Sequence, residues 1–198
     1  MNLFLWGALP YIAFTFLIVG TLVRFFYFER NWTTKSSEFL EKKQLRIANP
    51  LFHFGLLCVI GGHVVGVLVP KTWTAAMGIN DHMYHEGALY MGAVAGIIFI
   101  VGFLLLMKRR FTVPAMKVNT SGFDKWLYLF LTLAIFSGMA GTLLNASGFF
   151  DYRVSIGPWF RSLLSFMPDP SLMEGVPFMF KFHMLAWMVA VSYTNLTL

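Results

Sequence analysis

Three histidines fall inside apolar stretches of this 198-residue chain. His53 and His63 share one stretch, L-F-H-F-G-L-L-C-V-I-G-G-H, and His183 lies on another, F-M-F-K-F-H-M-L. Placing an ionisable imidazole among hydrocarbon side chains costs free energy, so histidines in membrane-spanning segments are candidates for function. Imidazole nitrogens bind protons and transition metals, and these residues therefore indicate one of those two chemistries.

The spacing of the three histidines favours haem iron. Ten residues separate His53 from His63, which places them about 15 Å apart along a helix axis and about 80° apart around it. His183 matches His63 in depth rather than His53. Two imidazoles at equal depth on facing helices suit the two axial positions of a b-type haem, and two depths on one helix indicate two stacked haems.

A purely structural interpretation stays open, in which the histidines only hydrogen-bond neighbouring helices. The glycines nearby favour haem instead. Gly61 and Gly62 precede His63, and Gly55 follows His53. Glycine has no side chain, so we expect a macrocycle to approach the backbone at these positions.

Other residues with ligand chemistry carry weaker signals. His82 and His85 lie in or beside the outer loop before the third apolar stretch, where a solvated imidazole is the simpler interpretation. Cys58 is the only cysteine, which excludes an internal disulfide, a cysteine-only metal cage and an iron–sulfur cluster held by this chain. Met184 and Met188 are core residues by default, with haem ligation as the alternative.

The composition indicates an integral membrane protein. The chain is 58% hydrophobic and 12% charged, with a mean hydropathy of +0.68, whereas soluble domains are about 25% charged. So few charges cannot cover a water-facing surface. The net charge of +6 is therefore a topology signal, which excludes nucleic-acid binding as its meaning.

Five apolar stretches predict an all-α membrane protein, a bundle of five transmembrane helices. They run approximately over 3–23, 50–69, 87–107, 126–144 and 176–191. The first lacks the positively charged start and cleavage site of a signal peptide, so we expect an uncleaved span. Pro50 is expected at the first helical position of the second.

The basic residues predict the orientation. Six follow the first stretch and five follow the third, against four on the other side, namely Lys71, Arg153, Arg161 and Lys181. The first two groups are Arg24, Arg30, Lys35, Lys42, Lys43 and Arg46, then Lys108, Arg109, Arg110, Lys117 and Lys125. By the positive-inside rule these loops are cytoplasmic, and the N-terminus lies outside a multi-pass cytoplasmic membrane protein. The outer connection 147–175 is expected to hold a short amphipathic helix.

At these residues the sequence resembles the gamma subunit, or cytochrome b subunit, of membrane-bound respiratory nitrate reductase. The resemblance covers nearly the whole chain, 1–198, as one domain. Its most specific parts are N-P-L-F-H-F-G followed by G-G-H-V-V-G-V-L-V-P, then L-L-L-M-K-R-R and F-K-F-H. It implies a five-helix bundle with an outside N-terminus, which agrees with the distribution of basic residues.

The resemblance also implies roles. His63 and His183 would ligate a distal haem b on the outer side, and His53 would be one ligand of a proximal haem. Quinol would be oxidised near Gly62 and His63, with protons released outside. Electrons would pass to an iron–sulfur beta subunit and a molybdenum alpha subunit that reduces nitrate. Arg110 is a candidate partner for a proximal haem propionate.

Two departures from the family matter. Its quinol-binding lysine near the third helix is replaced by D-H-M-Y-H-E at 81–86, where His82 or His85 would substitute as hydrogen-bond donor. The second proximal ligand would lie beyond Leu198, and the run 176–191 is short of the roughly 20 residues a span needs. We expect the fifth helix to be incomplete, 192–198 to be a foreign tail, and only the distal haem to be fully ligated.

Two alternative functions remain open. Related cytochrome b subunits serve sulfite-reductase-associated or heterodisulfide-reductase-type complexes, with the same haems and a different terminal enzyme. A haem-free transporter or assembly anchor would use the histidines for proton transfer. It predicts Asp or Glu inside the apolar stretches, and none of the five contains either, which disfavours it.

Overall fold

The computed structural model describes residues 2–27 and 41–197, except for the side chains of 24 and 195–197. Arg30, Lys35 and Leu198, which entered the predictions above, lie outside these residues. The regular elements in the described ranges are all helical, which confirms the all-α class. The helices are α1 Leu9–Tyr27, α2 Lys43–His63, α3 Lys71–Ala76, α4 Asp81–Thr112, α5 Pro114–Val118, α6 Gly122–Leu144, α7 Ile156–Leu164 and α8 Phe178–Thr197.

Four helical segments are long and apolar enough to cross a membrane: Phe4–Tyr27, Lys43–Leu68, Asp81–Thr112 and Gly122–Leu144. The first two include π-helical turns, before α1 and after α2. Their apolar side chains point outward, as Leu57 at 68% and Met91 at 76% exposure illustrate. Lipid, rather than water, suits such a surface. The first four predicted spans are therefore helices that could cross a membrane, whereas the fifth span and the orientation stay predictions.

The last helix, α8, differs from expectation. It continues for 20 residues to Thr197, past the end of the predicted apolar run at about 191. The hydroxyls of Ser192 and Thr194 donate to the carbonyls of Met188 and Ala190, at 2.8 and 2.7 Å. Polar side chains that bond to their own helix do not interrupt it. The foreign origin of 192–198 stays a prediction.

The start of α2 is also earlier than predicted. The helix begins at Lys43, so Pro50 lies inside it and not at its first position. A proline removes one backbone hydrogen bond, and the helix remains continuous on both sides of it. The basic residues Lys43 and Arg46, assigned to a loop from the sequence, therefore belong to the first turns of α2.

Because α4 begins at Asp81, His82 and His85 lie within a helix and not in the predicted loop. The helix begins at Asp81 because the side chain of Asn80 accepts a hydrogen bond from the backbone N–H of Met83 at 2.9 Å. This contact satisfies one of the free amides at the helix start. Both histidines consequently lie in the first two turns of α4.

The closest helix pairs are α2 with α4, α6 with α8, and α1 with α8. Glycines permit the first of these contacts. A Cβ at Gly55 would lie 2.5 Å from the backbone nitrogen of Phe99, and Gly102 is equally close to the backbone of Phe52. Gly55 was expected to make room for a macrocycle, and this is wrong, because it makes room for α4.

The outer connection contains α7, which confirms a short helix within 147–175. One face of α7 is buried, with Trp159 only 1% exposed. The indole N–H of Trp159 donates to the backbone carbonyl of Trp6 at 2.8 Å. This hydrogen bond and the surrounding apolar cluster tie the outer segment to the start of α1 and to α8.

Candidate functional site

The structure brings the rings of His63 and His183 together. Their centroids are 6.0 Å apart and their planes differ by 35°. His63 is the last residue of α2, and His183 lies in the second turn of α8. In the described part of the chain, α2 and α8 are not a closely packed pair. The two rings therefore approach each other across a space between helices.

Backbone carbonyls fix the orientation of both rings. His63 Nδ1 lies 2.7 Å from the carbonyl oxygen of Val59, and His183 Nδ1 lies 2.9 Å from that of Ala134. A carbonyl oxygen only accepts, so each Nδ1 carries the hydrogen and donates it. In a neutral imidazole, Nε2 then carries a free lone pair. This is the usual arrangement of a metal-binding histidine.

Helix α6 contacts His183 on the side of its Nδ1. The hydroxyl oxygen of Ser137 lies 3.3 Å from that nitrogen. Gly138 is adjacent, and a Cβ built on it would lie 2.8 Å from Cε1 of His183. Only a glycine therefore allows α6 to approach the ring this closely.

The two histidines fit a haem ligated on both faces. The 6.0 Å between ring centroids leaves room for one metal ion, since each bond from imidazole to a metal is about 2 Å long. A Cβ built on Gly61 or Gly62 meets no heavy atom within 4 Å. Open space therefore lies beside His63 for a planar macrocycle. Two neutral nitrogen ligands are a donor set that haem iron accepts.

His53 is anchored in the same way but is not paired. Its Nδ1 lies 2.8 Å from the carbonyl oxygen of Asn49, which again leaves Nε2 with the lone pair. The side chain is exposed on α2, and its recorded ring contact is with Phe52, at 5.3 Å between centroids. The structure places no second histidine of the described chain against it.

His82 and His85 use the other ring nitrogen. His85 Nε2 lies 3.1 Å from the carbonyl oxygen of Ala146 in the outer connection, and His82 Nε2 lies 3.5 Å from a carboxylate oxygen of Glu86. Neither makes a recorded contact with His63. Both lie at the N-terminal end of α4, the same end of the bundle as the C-terminal end of α2.

Arg110 is held between α4 and α6. One of its terminal nitrogens lies 3.2 Å from a carboxylate oxygen of Asp124, and its guanidinium lies 6.0 Å from the ring centroid of Tyr128. Its Nε is buried and has no hydrogen-bond partner within the described ranges. Asp124 thus neutralises the charge while one donor remains unsatisfied.

Sequence reasoning missed a buried arginine at the end of the bundle where α4 begins. Arg153 is 4% exposed, and it donates to Asp81 at 2.9 Å and to Thr74 at 3.1 Å. Its guanidinium also lies 3.7 Å from the ring centroid of Tyr84. These contacts join Arg153 to residues 72 and 79 positions earlier in the chain, so no local spacing could have indicated them.

A lysine completes this cluster around Arg153. Lys71 Nζ lies 2.7 Å from Asp81 and 3.0 Å from Asp151. Hydrogen bonds to Asp81 and then to Asp151 raise the pKa of Lys71. Burial acts to raise the pKa of Asp151, but the bond from Lys71 and the backbone N–H of Arg153 outweigh it, and the pKa is lowered. A lysine therefore does lie beside the start of α4, contributed by α3.

The opposite end of the bundle has a buried ion pair of its own. Arg109, at 3% exposure, donates from Nε to a carboxylate oxygen of Glu41 at 2.9 Å and from Nη2 to its backbone carbonyl at 2.7 Å. The pKa of Glu41 is lowered, first by the backbone N–H of Gln44 and also by Arg109. One of the basic residues used for topology is therefore also a structural contact.

Comparisons with known proteins give one family for nearly the whole chain. The nitrate reductase gamma subunit family model matches residues 2–197. The chain is 47% identical over 182 residues to the nitrate reductase gamma chain of Bacillus subtilis (strain 168), covering 91% of this chain and 82% of that protein. It is 27% identical over 190 residues to the respiratory nitrate reductase 1 gamma chain of Escherichia coli (strain K12), covering 95% and 84%.

A third relative is a larger protein. The nitrate reductase-like protein NarX of Mycobacterium tuberculosis (strain ATCC 25618 / H37Rv) is 38% identical over 183 residues, which are 91% of this chain and 28% of that one. The family model covers nearly the whole chain, and the Bacillus subtilis relative is matched over most of both lengths. The chain belongs to the nitrate reductase gamma subunit family.

Proposed function

We propose that this chain is the membrane cytochrome b subunit of a quinol:nitrate oxidoreductase, which takes electrons from quinol and passes them to cytoplasmic subunits. The observation that carries the proposal is the His63–His183 pair, with ring centroids 6.0 Å apart and both Nδ1 atoms against backbone carbonyls. The four apolar helices and the family membership support it.

In this proposal His63 and His183 hold the distal haem b. When held between these two imidazoles, the group would supply single-electron transfer. Val59 and Ala134 keep each Nε2 unprotonated and aimed away from its own anchor. The surrounding α2 and α8 surfaces supply the apolar walls that such a macrocycle prefers.

Quinol would bind at the outer end, beside Gly62 and His63. Conversion of a quinol to a quinone releases two electrons and two protons, so the site needs bases. His85 donates from Nε2 to Ala146, which leaves Nδ1 as an acceptor in the neutral ring. His82 is largely exposed and would pass a proton to the outer water.

The cytoplasmic end would face the partner subunits. His53 would be one ligand of a proximal haem, and Arg110, with an unsatisfied Nε, would bind a propionate. Electrons would continue to an iron–sulfur beta subunit and a molybdenum alpha subunit that reduces nitrate. None of the three relatives reported above is named for sulfite or heterodisulfide reduction, so we do not retain those alternatives.

Haem content of single histidine variants tests the proposal. The purified chain is expected to show a b-type dithionite-reduced minus oxidised spectrum. His63→Ala and His183→Ala should each remove the same haem, together with its reduction by a water-soluble quinol. His82→Ala, which is exposed and unpaired with His63, is the control that keeps the haem. Wild-type haem content in either of the first two variants would overturn the pairing.

A further inference from the structure

His183 is held differently from the other two histidines of the spans. His63 and His53 each contact the carbonyl four residues earlier on their own helix, at Val59 and Asn49. His183 instead reaches across to α6, where Ala134 and Ser137 are both near its Nδ1. Its orientation therefore depends on a neighbouring helix.

The hydrogen of each group in this contact can be assigned. The Ser137 hydroxyl oxygen lies 3.1 Å from the carbonyl oxygen of Ala134. Because that carbonyl only accepts, the hydroxyl donates to it. The lone pairs of the hydroxyl oxygen then face the N–H of His183 at 3.3 Å. The imidazole N–H is thus shared between two acceptors, the Ala134 carbonyl at 2.9 Å and the Ser137 hydroxyl.

We propose that Ser137 is a positioning residue for the distal haem ligand, which it orients and makes more electron-donating through the N–H of His183. The proposal rests on the proposed function, in which His183 binds haem iron. Ser137 is 6% exposed, so water does not compete for its hydroxyl. An acceptor on the far nitrogen of a ligating imidazole raises the basicity of the metal-binding nitrogen.

The effect on the haem has a defined sign. A more basic imidazole stabilises the ferric state relative to the ferrous state, and so lowers the reduction potential. Gly138 supports this function of α6, since a Cβ there would lie 3.2 Å from the Nδ1 atom of His183. The missing side chain at Gly138 thus lets two acceptors of α6, the Ser137 hydroxyl and the Ala134 carbonyl, reach the ring of His183.

The reduction potential of the distal haem tests this proposal. That haem is identified as the one whose binding is lost in His183→Ala. In Ser137→Ala we expect that haem at wild-type content. Its reduction potential should rise by up to about 59 mV, which corresponds to a tenfold change in a one-electron reduction equilibrium. The ferric low-spin spectrum should also broaden as the ring loses one of its two contacts. Ser137→Thr keeps the hydroxyl and should retain the wild-type potential.

Two results would overturn the proposal. One is an unchanged potential and spectrum in Ser137→Ala. The other is an equal shift in Ser137→Thr and Ser137→Ala, because altered packing would then explain both. The thermal unfolding of each variant is measured in parallel to separate loss of folding from loss of the contact. If the wild-type chain bound no haem that depends on His183, the proposed function itself would fail, and this inference with it.

Discussion

At the scale of single residues, substitution of Gly62 can distinguish a haem site from an ordinary contact between helices. A Cβ on Gly62 meets no heavy atom of the protein within 4 Å, so Gly62→Ala should leave the fold intact, or stabilise it by about 0.4–1 kcal/mol. If a macrocycle lies beside His63, the added methyl group enters its space. We expect haem affinity to fall about tenfold, as for changes next to metal ligands.

The measurement is the haem-to-protein ratio of the purified variant, with the unfolding temperature beside it. Gly92→Ala is a matched control, because its Cβ also meets nothing within 4 Å but lies on α4. That variant should keep its haem. A Gly62→Ala protein with full haem content would place the macrocycle elsewhere.

The candidate site was predictable at this scale only in part. The types and spacing of His53, His63 and His183 made them visible, because imidazoles are rare among apolar residues. Ser137 and Gly138 were not visible, since S-G within an apolar helix is also the composition of an ordinary helix contact. Their role depends on which helix packs against α8, and the spacing of histidines carries no such information.

The crossing of α2 and α4 yields a prediction about helical elements. The glycine at position 55 lies against the backbone of Phe99, with a built Cβ at 2.5 Å from its nitrogen. A backbone cannot move aside as a side chain does, so Gly55→Ala should separate the two helices. Overpacking of this kind costs about 1–3 kcal/mol.

Thermal unfolding of Gly55→Ala in detergent measures this cost, with Gly92→Ala as the exposed glycine for comparison. The first variant should unfold at a lower temperature than the wild-type chain and the second should not. Equal unfolding temperatures for the two variants would mean that the helices do not cross at Gly55.

Helices were predicted well in their interiors and poorly at their ends. Apolar runs placed the middle of each span because burial in lipid requires about 20 such residues. The ends depend on polar contacts that hydropathy does not report. The Asn80 cap begins α4 six residues before its apolar run, and α8 continues through Ser192, whose hydroxyl bonds to the carbonyl of Met188.

The ionic cluster of Lys71, Asp81, Asp151 and Arg153 links separate segments at the end of the bundle where α4 begins, and its stability should depend on pH. The pKa of Asp151 is lowered in the folded chain, so its contribution is present above the ordinary aspartate range and is lost as pH falls below about 3.9. The pKa of Lys71 is raised, so its contribution is present at neutral pH and is lost only above about 10.4.

Asp151→Asn should therefore unfold more easily than the wild-type chain at pH 7, by about 1 kcal/mol, since the carboxylate is partly exposed. The difference between the two proteins should shrink as pH falls below about 3.9 and the wild-type carboxylate takes up a proton. Glu174→Gln is the control, because its carboxylate makes no recorded ion pair with the described residues. Equal stability of Asp151→Asn and wild type at pH 7 would exclude a stabilising role for this ion pair.

Orientation in the membrane decides what the whole bundle does. Helix α4 has 32 residues, about 48 Å at 1.5 Å each, so the loop after it and the ionic cluster lie at opposite ends of the bundle. The structure leaves open which end of the bundle faces the cytoplasm, and the distribution of basic residues predicts that end. Lys117→Cys should then be cytoplasmic and Glu174→Cys outside, each in a Cys58→Ser background.

A membrane-impermeant maleimide applied to intact cells checks this choice. Glu174→Cys is expected to react at once, and Lys117→Cys only after lysis; both positions are exposed. The opposite pattern would place the His63–His183 pair near the cytoplasm. Protons from quinol would then be released toward the cytoplasm. That result would leave the haem ligands unchanged and overturn oxidation of quinol at the outer surface.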